Sequence, residues 1–247
     1  MRDYALETQK RAAFIRECLA EAGAAGIVFA NSGGKDCALV GILCKMACDD
    51  TVGIVMPCAS KRNYGADKED AETFAAQYGI ETRMIDLTPA RDALFHALGK
   101  TVSPHAATNI APRLRMNALY AVAASENRLV PGTGNRSEAH MGYFTKWADG
   151  LHGCDFNPIA DLTVSEVYDF LRHLGAPPCV TDKAPSAGLY DGQTDEGDMG
   201  VTYSAIDRFL LTGEARDKDL AIIERYHRTT GHKRRGPRLY GLPQTMP

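Results

Sequence analysis

Residues 26–46 constrain the fold of this chain more than any other segment. They begin with a short apolar run, residues 27–30, which is typical of a buried strand. Gly33 and Gly34 then interrupt the run, and apolar residues recur at helical spacing as far as Met46. A strand, a glycine turn and a helix in this order point free backbone N–H groups at an anion. The segment therefore predicts a phosphate-binding loop, although an ordinary turn with two glycines is also compatible with this stretch alone.

Two familiar phosphate loops do not match this segment. The pattern G-x-x-x-x-G-K-S/T fails because Phe29 stands at the first glycine and Asp36 at the final Ser or Thr. The G-x-G-x-x-G pattern of dinucleotide-binding folds is absent from the chain. Ser32 and Lys35 can add a hydroxyl donor and a positive charge to the loop, and Asp36 can bind a metal ion. The only Gly-Lys-Thr sequence, at 99–101, follows a helical run and is interpreted as a helix end.

Composition limits the class of protein. With 247 residues, 45% of them hydrophobic, the chain can bury one large or two small cores. A net charge of −3 gives no overall attraction to nucleic acid or to an anionic membrane. The charged N-terminus and the absence of a long apolar run predict neither a secretory signal nor a membrane span. Seven cysteines, an odd number without a C-x-x-C pair, favour reduced thiols in a cytoplasmic protein. We expect one domain over residues 1–247.

The hydrophobic pattern predicts strands that alternate with helices along the chain. Strands are expected at 27–30, 52–56, 81–85 and 129–131, and helices at 3–22, 37–46, 68–78, 90–98, 113–126, after the capping box at Thr163 and Glu166, and twice within 203–229. Leu6, Phe14 and Ile15 are expected on the apolar face of the first helix. The alternation indicates an α/β fold with a doubly wound parallel sheet and helices on both faces. The polar, glycine-rich stretch 183–200 is interpreted as a loop that forms a lid over the site.

Ligands of such sheets bind beyond the carboxyl ends of the strands. The first predicted strand leads to Ser32 and the fourth to Gly132. Residues 132–138 are therefore expected near the phosphate loop.

The sequence Ser32-Gly33-Gly34-Lys35-Asp36-Cys37 resembles the S-G-G-x-D-S loop of the ATP pyrophosphatases, whose fold is adenine-nucleotide hydrolase-like. Other polar phrases follow in register: Arg113-Leu114-Arg115-Met116, Gly132-Thr133, Glu138, Lys146, Asp149, Asp155, Asn157-Pro158-Ile159, Ala184-Pro185-Ser186-Ala187-Gly188-Leu189, Gln193-Thr194-Asp195-Glu196 and His232-Lys233-Arg234. Together they resemble ammonia-dependent NAD synthetase over residues 26–235.

The resemblance implies a ligase that forms a C–N bond in the last step of NAD biosynthesis. ATP would adenylate the nicotinate carboxylate of deamido-NAD and release pyrophosphate, and ammonia would then displace AMP to give NAD. A carboxylate oxygen is a poor leaving group and AMP is a good one, so activation must precede amidation. Catalysis would rest on positioning and on neutralising phosphate charge.

The resemblance also implies the residues of the site. The ATP-binding residues would be Ala30, Asn31, Ser32, Gly33, Gly34, Lys35, Asp36, Cys37, Thr133 and Ser186. The deamido-NAD-binding residues would be Arg113, Lys146, Asp155, His232 and Lys233. Asp36 and Glu138 would hold Mg²⁺, which commonly takes one or two carboxylates and completes its shell with water and phosphate oxygens.

Three positions depart from the family pattern. Cys37 stands where a serine is usual, Gly134 where an Asp often follows Gly-Thr, and Val164 where a lysine commonly contacts ATP. Lys35 is a candidate replacement for the missing lysine. Because of these departures, a catalytically silent nucleotide sensor is an alternative function for this chain. Another ATP pyrophosphatase, amidating a nucleotide or thiolating tRNA, is the enzymatic alternative.

The resemblance extends to partners. The expected ligands are small molecules, namely deamido-NAD, ATP and ammonia, and the family is homodimeric. Glutamine-dependent members carry an additional amidase domain, for which residues 1–247 leave no room. No nucleic acid or membrane partner is expected.

Overall fold

The computed structural model describes residues 2–149, 152–183, 194–238 and 240–241. Four parallel strands form its sheet: β1 (Gly26–Ala30), β2 (Thr51–Val55), β3 (Glu81–Met84) and β4 (Arg128–Leu129). Their order across the sheet is β3-β2-β1-β4. The predicted strands are confirmed to within two residues, except that β4 is shorter and Pro131 instead forms an isolated bridge with Phe156.

Helices connect and cover the strands. In the first half of the chain they are α1 (Tyr4–Ala22), α2 (Lys35–Ala47), α3 (Lys61–Tyr64), α4 (Ala66–Gln77), α5 (Thr88–Leu98), α6 (Pro104–Thr108) and α7 (Ile110–Glu126). In the second half they are α8 (Arg136–Met141), α9 (Val164–His173), α10 (Pro178–Thr181), α11 (Asp195–Met199), α12 (Tyr203–Thr212) and α13 (Asp217–Thr229). Single 3₁₀ turns occupy Gly99–Thr101 and Gly231–Lys233, so the Gly-Lys-Thr sequence does end a helical segment.

Both faces of the sheet are buried under helices. Phe29 in β1 packs with Leu39 of α2 and Phe170 of α9 in one apolar cluster. Val28, the residue before it in the strand, points to the opposite face and packs with Leu119 of α7 in a second cluster. Successive strand side chains alternate between faces, so a strand covered on both sides is apolar throughout. The predicted doubly wound α/β fold is confirmed.

The expected apolar face of α1 is wrong in part. Leu6 is 45% exposed and Phe14 is 41% exposed, whereas Ile15 is fully buried as predicted. Arg11 is instead buried on the inner face of α1. It forms ion pairs with Glu7 on its own helix and with Asp161, far along the chain. A charged side chain is buried when it is paired, and the partner at 161 is not visible from the local pattern.

The expected loop at 183–200 is also wrong in part. Thr194 caps the short helix α11, because its side chain accepts a hydrogen bond from the backbone N–H of Gly197. Residues 184–193 lie outside the described residues, so the lid stays a prediction. None of the described helices combines the length and apolarity needed to cross a membrane.

The chain order of the strands determines where the site lies. From β1 the chain moves outward through β2 to β3 and then returns to place β4 on the other side of β1. The direction of winding therefore reverses between β1 and β4, and a crevice opens beyond their carboxyl ends. The loop after β1 and residues 132–138 after β4 meet at this crevice, as the sequence predicts.

Candidate active site

The side chain of Asn31 stabilises the phosphate loop after β1 through two hydrogen bonds. This buried side chain donates to the backbone oxygen of Ala71 at 3.1 Å and accepts from the N–H of Gly33 at 3.4 Å. Gly33 has a φ of +70°, and a Cβ there would lie 2.2 Å from the backbone oxygen of Asp67. Only glycine combines this conformation with so close an approach. The chain then enters α2 at Lys35, so the unpaired N–H groups of the helix start lie at the cavity.

Cys37 stands where a serine is usual, and its side chain still takes part in a hydrogen bond within the loop. The hydroxyl of Ser32 donates to its Sγ at 3.1 Å. Burial raises the pKa of the Cys37 thiol, with smaller opposing contributions from hydrogen bonds to Ser32 and Thr133. The residue is therefore a neutral thiol within the loop, and Thr133 from the β4 side lies beside it.

Asp36 and Glu138 form a carboxylate pair across the crevice. Asp36 is in the first turn of α2 and Glu138 is in α8, and the ammonium of Lys35 reaches both, at 2.6 Å and 3.7 Å. Asn135 orients them further, because its Nδ2 donates to Asp36 Oδ1 at 3.1 Å while its Oδ1 accepts from the N–H of Glu138 at 2.9 Å. Asn135, which is fully buried, thus contacts both carboxylates: its side-chain amide donates to Asp36, and its backbone N–H donates to Glu138 Oε2 at 3.3 Å.

The charges of this group influence one another. Burial raises the pKa of Glu138, with a further contribution from Asp36, and Lys35 opposes the rise. Burial alone would lower the pKa of Lys35, but the two carboxylates outweigh it and raise that pKa. Lys35 is consequently a charged ammonium inside the protein. A pair of carboxylates with a cation between them is a donor set that suits Mg²⁺.

No larger metal cluster accompanies the pair. Across the described part of the chain, no three or more His, Cys, Asp or Glu side chains are grouped so as to hold a metal ion. Two carboxylates are enough for Mg²⁺ when water and substrate phosphates supply its other ligands. The residues present therefore fit this ion.

The opposite wall of the cavity is cationic. Lys146 donates to the backbone oxygen of His232 at 2.8 Å, and Arg113 donates to the backbone oxygen of Lys146 at 3.3 Å. Lys233 donates to the backbone oxygen of Gly142 at 2.6 Å. Burial, the largest contribution, lowers the pKa of Lys233, Asp149 opposes this, and Arg113 lowers the pKa further. The hydrogen bonds of these side chains to carbonyl groups preorganise them without neutralising their charge.

The two walls enclose one cavity of about 1080 Å³. Most of the predicted site residues line it: Ala30, Asn31, Ser32, Gly34, Lys35, Asp36, Cys37, Arg113, Thr133, Glu138, Lys146, His232 and Lys233. This volume is at the upper end of the usual range for ligand pockets, roughly 300–1,000 Å³, so more than one ligand can be accommodated.

Three predicted residues are not in that lining. Gly33 lies behind it against α4, and Ser186 lies outside the described residues. Asp155 accepts a hydrogen bond from the hydroxyl of Tyr120 at 3.0 Å and another from the N–H of Val130 at 2.7 Å. In this structure Asp155 connects α7 to the end of β4, and its contact with substrate stays a prediction.

Two further residues belong to the site although they were not predicted. Asn135 could have been found, since Asn135 and Glu138 have the spacing of a capping box, which the structure contains. Lys183 gave no sequence signal. It pairs with Asp67 and Asp70, both at 2.7 Å, and donates to the backbone oxygen of Gly33 at 3.3 Å. Lys183 therefore ties the described end of the 183–200 segment to the phosphate loop.

The missing lysine at Val164 has a packing explanation. Val164 is 3% exposed and packs with Met141, Met199 and Ile206 in a third apolar cluster. The position starts α9, and its side chain does not line the cavity.

A doubly wound sheet with a phosphate loop, a carboxylate pair and a cationic wall around one cavity defines a nucleotide-activating enzyme of the ATP pyrophosphatase type. A model of the family described as NAD synthase matches residues 7–237. The chain therefore belongs to the NAD synthase family, and the resemblance found in its sequence is confirmed.

Individual relatives agree with this assignment. The NH(3)-dependent NAD(+) synthetase of Carboxydothermus hydrogenoformans is 45% identical over 94% of this chain and 95% of its own length. Among solved structures, the NMN synthetase of Francisella tularensis has a TM-score of 0.92 at 34% identity, covering 98% of this chain and 100% of that one. The NH3-dependent NAD synthetase of Campylobacter jejuni has a TM-score of 0.78 at 28% identity, covering 97% and 99%.

Proposed function

We propose that this chain uses ATP to amidate deamido-NAD with ammonia, giving NAD, AMP and pyrophosphate. One observation carries the proposal. The phosphate loop with its carboxylate pair, and the cationic wall of Lys146, Lys233 and Arg113, border the same cavity. ATP and a second phosphorylated substrate can therefore meet there.

In the first step, the N–H groups at the start of α2 and the hydroxyl of Ser32 hold the triphosphate of ATP. The cationic wall holds the phosphates of the second substrate, so that its nicotinate carboxylate faces the α-phosphorus. A carboxylate oxygen attacks that phosphorus, the bond to the β-phosphate oxygen breaks, and pyrophosphate leaves. Asp36 and Glu138 would hold Mg²⁺, which supplies neutralisation of the phosphate charge when bound.

In the second step, ammonia attacks the acyl carbon of the adenylate. The carbon–oxygen bond to AMP breaks, AMP leaves with the original carboxylate oxygen, and the added nitrogen loses a proton to solvent. We infer that ammonia is used directly and that the reaction takes place in the cytoplasm. NAD formation with ammonium but not with glutamine tests the nitrogen source. Efficient turnover of glutamine by the purified chain contradicts it.

The carboxylate assignment has its own test. Glu138→Gln keeps the shape of the side chain and removes its charge. We expect NAD formation at 1 mM Mg²⁺ to fall about 10- to 100-fold and to recover in part at higher Mg²⁺ concentration. Exposed Glu72→Gln, at the surface of α4, is the matched control. Equal activity of the two variants rejects Glu138 as a Mg²⁺ ligand.

A second candidate substrate is the mononucleotide. The TM-score of 0.92 to a structure described as an NMN synthetase, against 0.78 to an NAD synthetase, favours it. The same chemistry on nicotinate mononucleotide would give nicotinamide mononucleotide. The ratio of kcat/KM for the two substrates, measured with the same ATP and ammonium, decides between them.

We also propose a homodimer. Leu94 and Leu98 lie one turn apart on α5, where they are 36% and 39% exposed, and Met84 on the edge strand β3 is 56% exposed. Large apolar side chains left exposed on two successive elements of the chain support this proposal. Sedimentation at micromolar concentration should give twice the mass of one chain, and a monomer contradicts the proposal.

A further inference from the structure

Lys35 occupies an unusual position for a lysine. The residue is only 6% exposed, although it lines the cavity described above. The ammonium lies 2.6 Å from Asp36 Oδ2 and 3.7 Å from Glu138 Oε1, beneath the ring of Tyr203, whose centroid is 5.8 Å away. A lysine is rarely buried to this extent unless it is paired. Here both of its partners are the carboxylates proposed to bind Mg²⁺.

The remaining oxygens of the pair already have partners. Asp36 Oδ1 accepts from Asn135 Nδ2, and Glu138 Oε2 accepts from the backbone N–H of Asn135. The oxygens Asp36 Oδ2 and Glu138 Oε1 are the ones that face Lys35. A divalent ion bound at these two oxygens would lie within a few ångströms of the ammonium, where two cations repel strongly at low dielectric. The ammonium and the metal ion therefore compete for one position.

We propose that the ammonium of Lys35 is the resident cation of the Asp36–Glu138 pair and that Mg²⁺ binds by displacing it toward the cavity. The inference rests on the proposed assignment of these carboxylates to Mg²⁺. Without a cation, two buried carboxylates would repel each other, so Lys35 stabilises the pair in the metal-free enzyme. The long, flexible lysine side chain can leave the pair without movement of α2, because Lys35 lines the cavity.

Displacement also gives Lys35 a second position. A freed ammonium at the cavity would face the ATP phosphates, which is the role that the sequence predicted for it. The pair would then exchange one cation for another, and the lysine would supply charge to the substrate only after the metal ion is bound. Lys35 is thus a positioning residue for the metal site in the resting enzyme.

The binding of Mn²⁺ alone, followed by electron paramagnetic resonance, tests the competition. Lys35→Met keeps the length of the side chain and removes the charge. We expect this variant to bind Mn²⁺ about tenfold or more tightly than the wild type, a change of roughly 1.4 kcal/mol or more. Lys45→Met, which removes a lysine from the other end of the same helix, should bind as the wild type does.

The outcomes separate this inference from the proposed metal site. Equal Mn²⁺ affinity of Lys35→Met and the wild type overturns the displacement, while the loss of binding in Glu138→Gln would leave the metal assignment standing. If Glu138→Gln does not weaken the binding of Mn²⁺ in the Lys35→Met background, the carboxylate assignment itself fails and the inference fails with it.

A measurement on the wild type is independent of whether Lys35→Met folds. Reductive methylation, quantified for each lysine by mass spectrometry, reports how accessible the Lys35 ammonium is. We expect its modification to be several-fold faster with saturating Mg²⁺ than without metal, while Lys45 is modified at the same rate in both. An unchanged rate at Lys35 at a Mg²⁺ concentration that supports turnover overturns the inference.

Discussion

Gly33→Ala is the substitution whose effect can be worked out most fully from the structure. The added Cβ would lie 2.2 Å from the backbone oxygen of Asp67, well inside the 3.0 Å below which one of the two groups must move. The left-handed conformation, φ +70°, costs a non-glycine residue about 1–2 kcal/mol. Overpacking against a backbone group adds about 1–3 kcal/mol. Alanine restricts the unfolded chain more than glycine does, which offsets the destabilisation by about 0.4–1 kcal/mol. The expected net destabilisation is about 1–5 kcal/mol.

The same clash predicts a loss of activity. The loop must shift by about 1 Å to restore contact distance, and a misplacement of that size can cost about 100-fold in catalysis. Steady-state kinetics should therefore give a kcat/KM for ATP about 100-fold below that of the wild type, and calorimetry should give the loss of stability.

Gly79→Ala separates backbone strain from the clash. Gly79 has a φ of +63°, similar to that of Gly33, but a Cβ there would meet nothing within 4 Å. Its net cost should be about 1 kcal/mol, which lowers Tm by about 2–4 °C in a chain of this size, with unchanged kinetics. If both variants lose the same stability and keep the same kcat/KM for ATP, the close approach of Gly33 to α4 has no functional importance and the reasoning is refuted.

Three further predictions concern side chains. Asn135→Ala removes the side-chain amide that donates to Asp36 and accepts from the backbone N–H of Glu138, so the Mg²⁺ concentration needed for half-maximal NAD formation should rise about 10- to 100-fold. Lys183→Met breaks two ion pairs beside the phosphate loop and should raise the KM for ATP and lower the free energy of unfolding by about 1–3 kcal/mol, measured in urea. Burial, together with the stacked ring of His227 and nearby arginines, lowers the pKa of His140 from 6.5 to about 4. The unfolded chain then binds this proton more readily, so stability should fall as the pH decreases from about 6.5 to 4, and His140→Asn should reduce that loss by about 1 kcal/mol in urea unfolding.

Each of these predictions has a matched control in the chain. Thr163→Ala removes the cap of the other capping box at similar cost in stability and should leave the Mg²⁺ requirement unchanged. Lys10→Met removes a surface ion pair on α1, away from the cavity, and should change the KM for ATP little. Exposed His96→Asn should leave the pH dependence of stability as in the wild type. A control that matches its test variant contradicts the corresponding prediction.

The sequence predicts the part of this fold that local pattern determines. An apolar run, two glycines and helical spacing were enough to identify β1, the phosphate loop and α2, because each depends on residues close in the chain. The meeting of Asp36 with residues 132–138 also followed, since the ends of adjacent parallel strands share one edge of a sheet.

Interactions between distant residues were not predictable in this way. Arg11 is buried because Asp161 lies opposite, 150 residues away, and charge patterning alone would place an arginine in solvent. Lys183 has the same limitation, since nothing in its local sequence specifies that it meets Asp67 and Asp70, and the contact of Lys35 with Glu138 is similarly distant in the chain. Asn135 differs from them, because its capping-box spacing with Glu138 is local and readable.

The fate of the carboxylate oxygen tests the central claim most directly. With the nicotinate carboxylate of deamido-NAD labelled with ¹⁸O, the proposed route transfers one labelled oxygen to AMP and none to pyrophosphate, which mass spectrometry of the products can detect. One ¹⁸O atom in AMP for each NAD formed, dependent on ammonium, is the predicted result. Unlabelled AMP, or label in pyrophosphate, would show that the carboxylate is not activated by adenylation and would contradict the account.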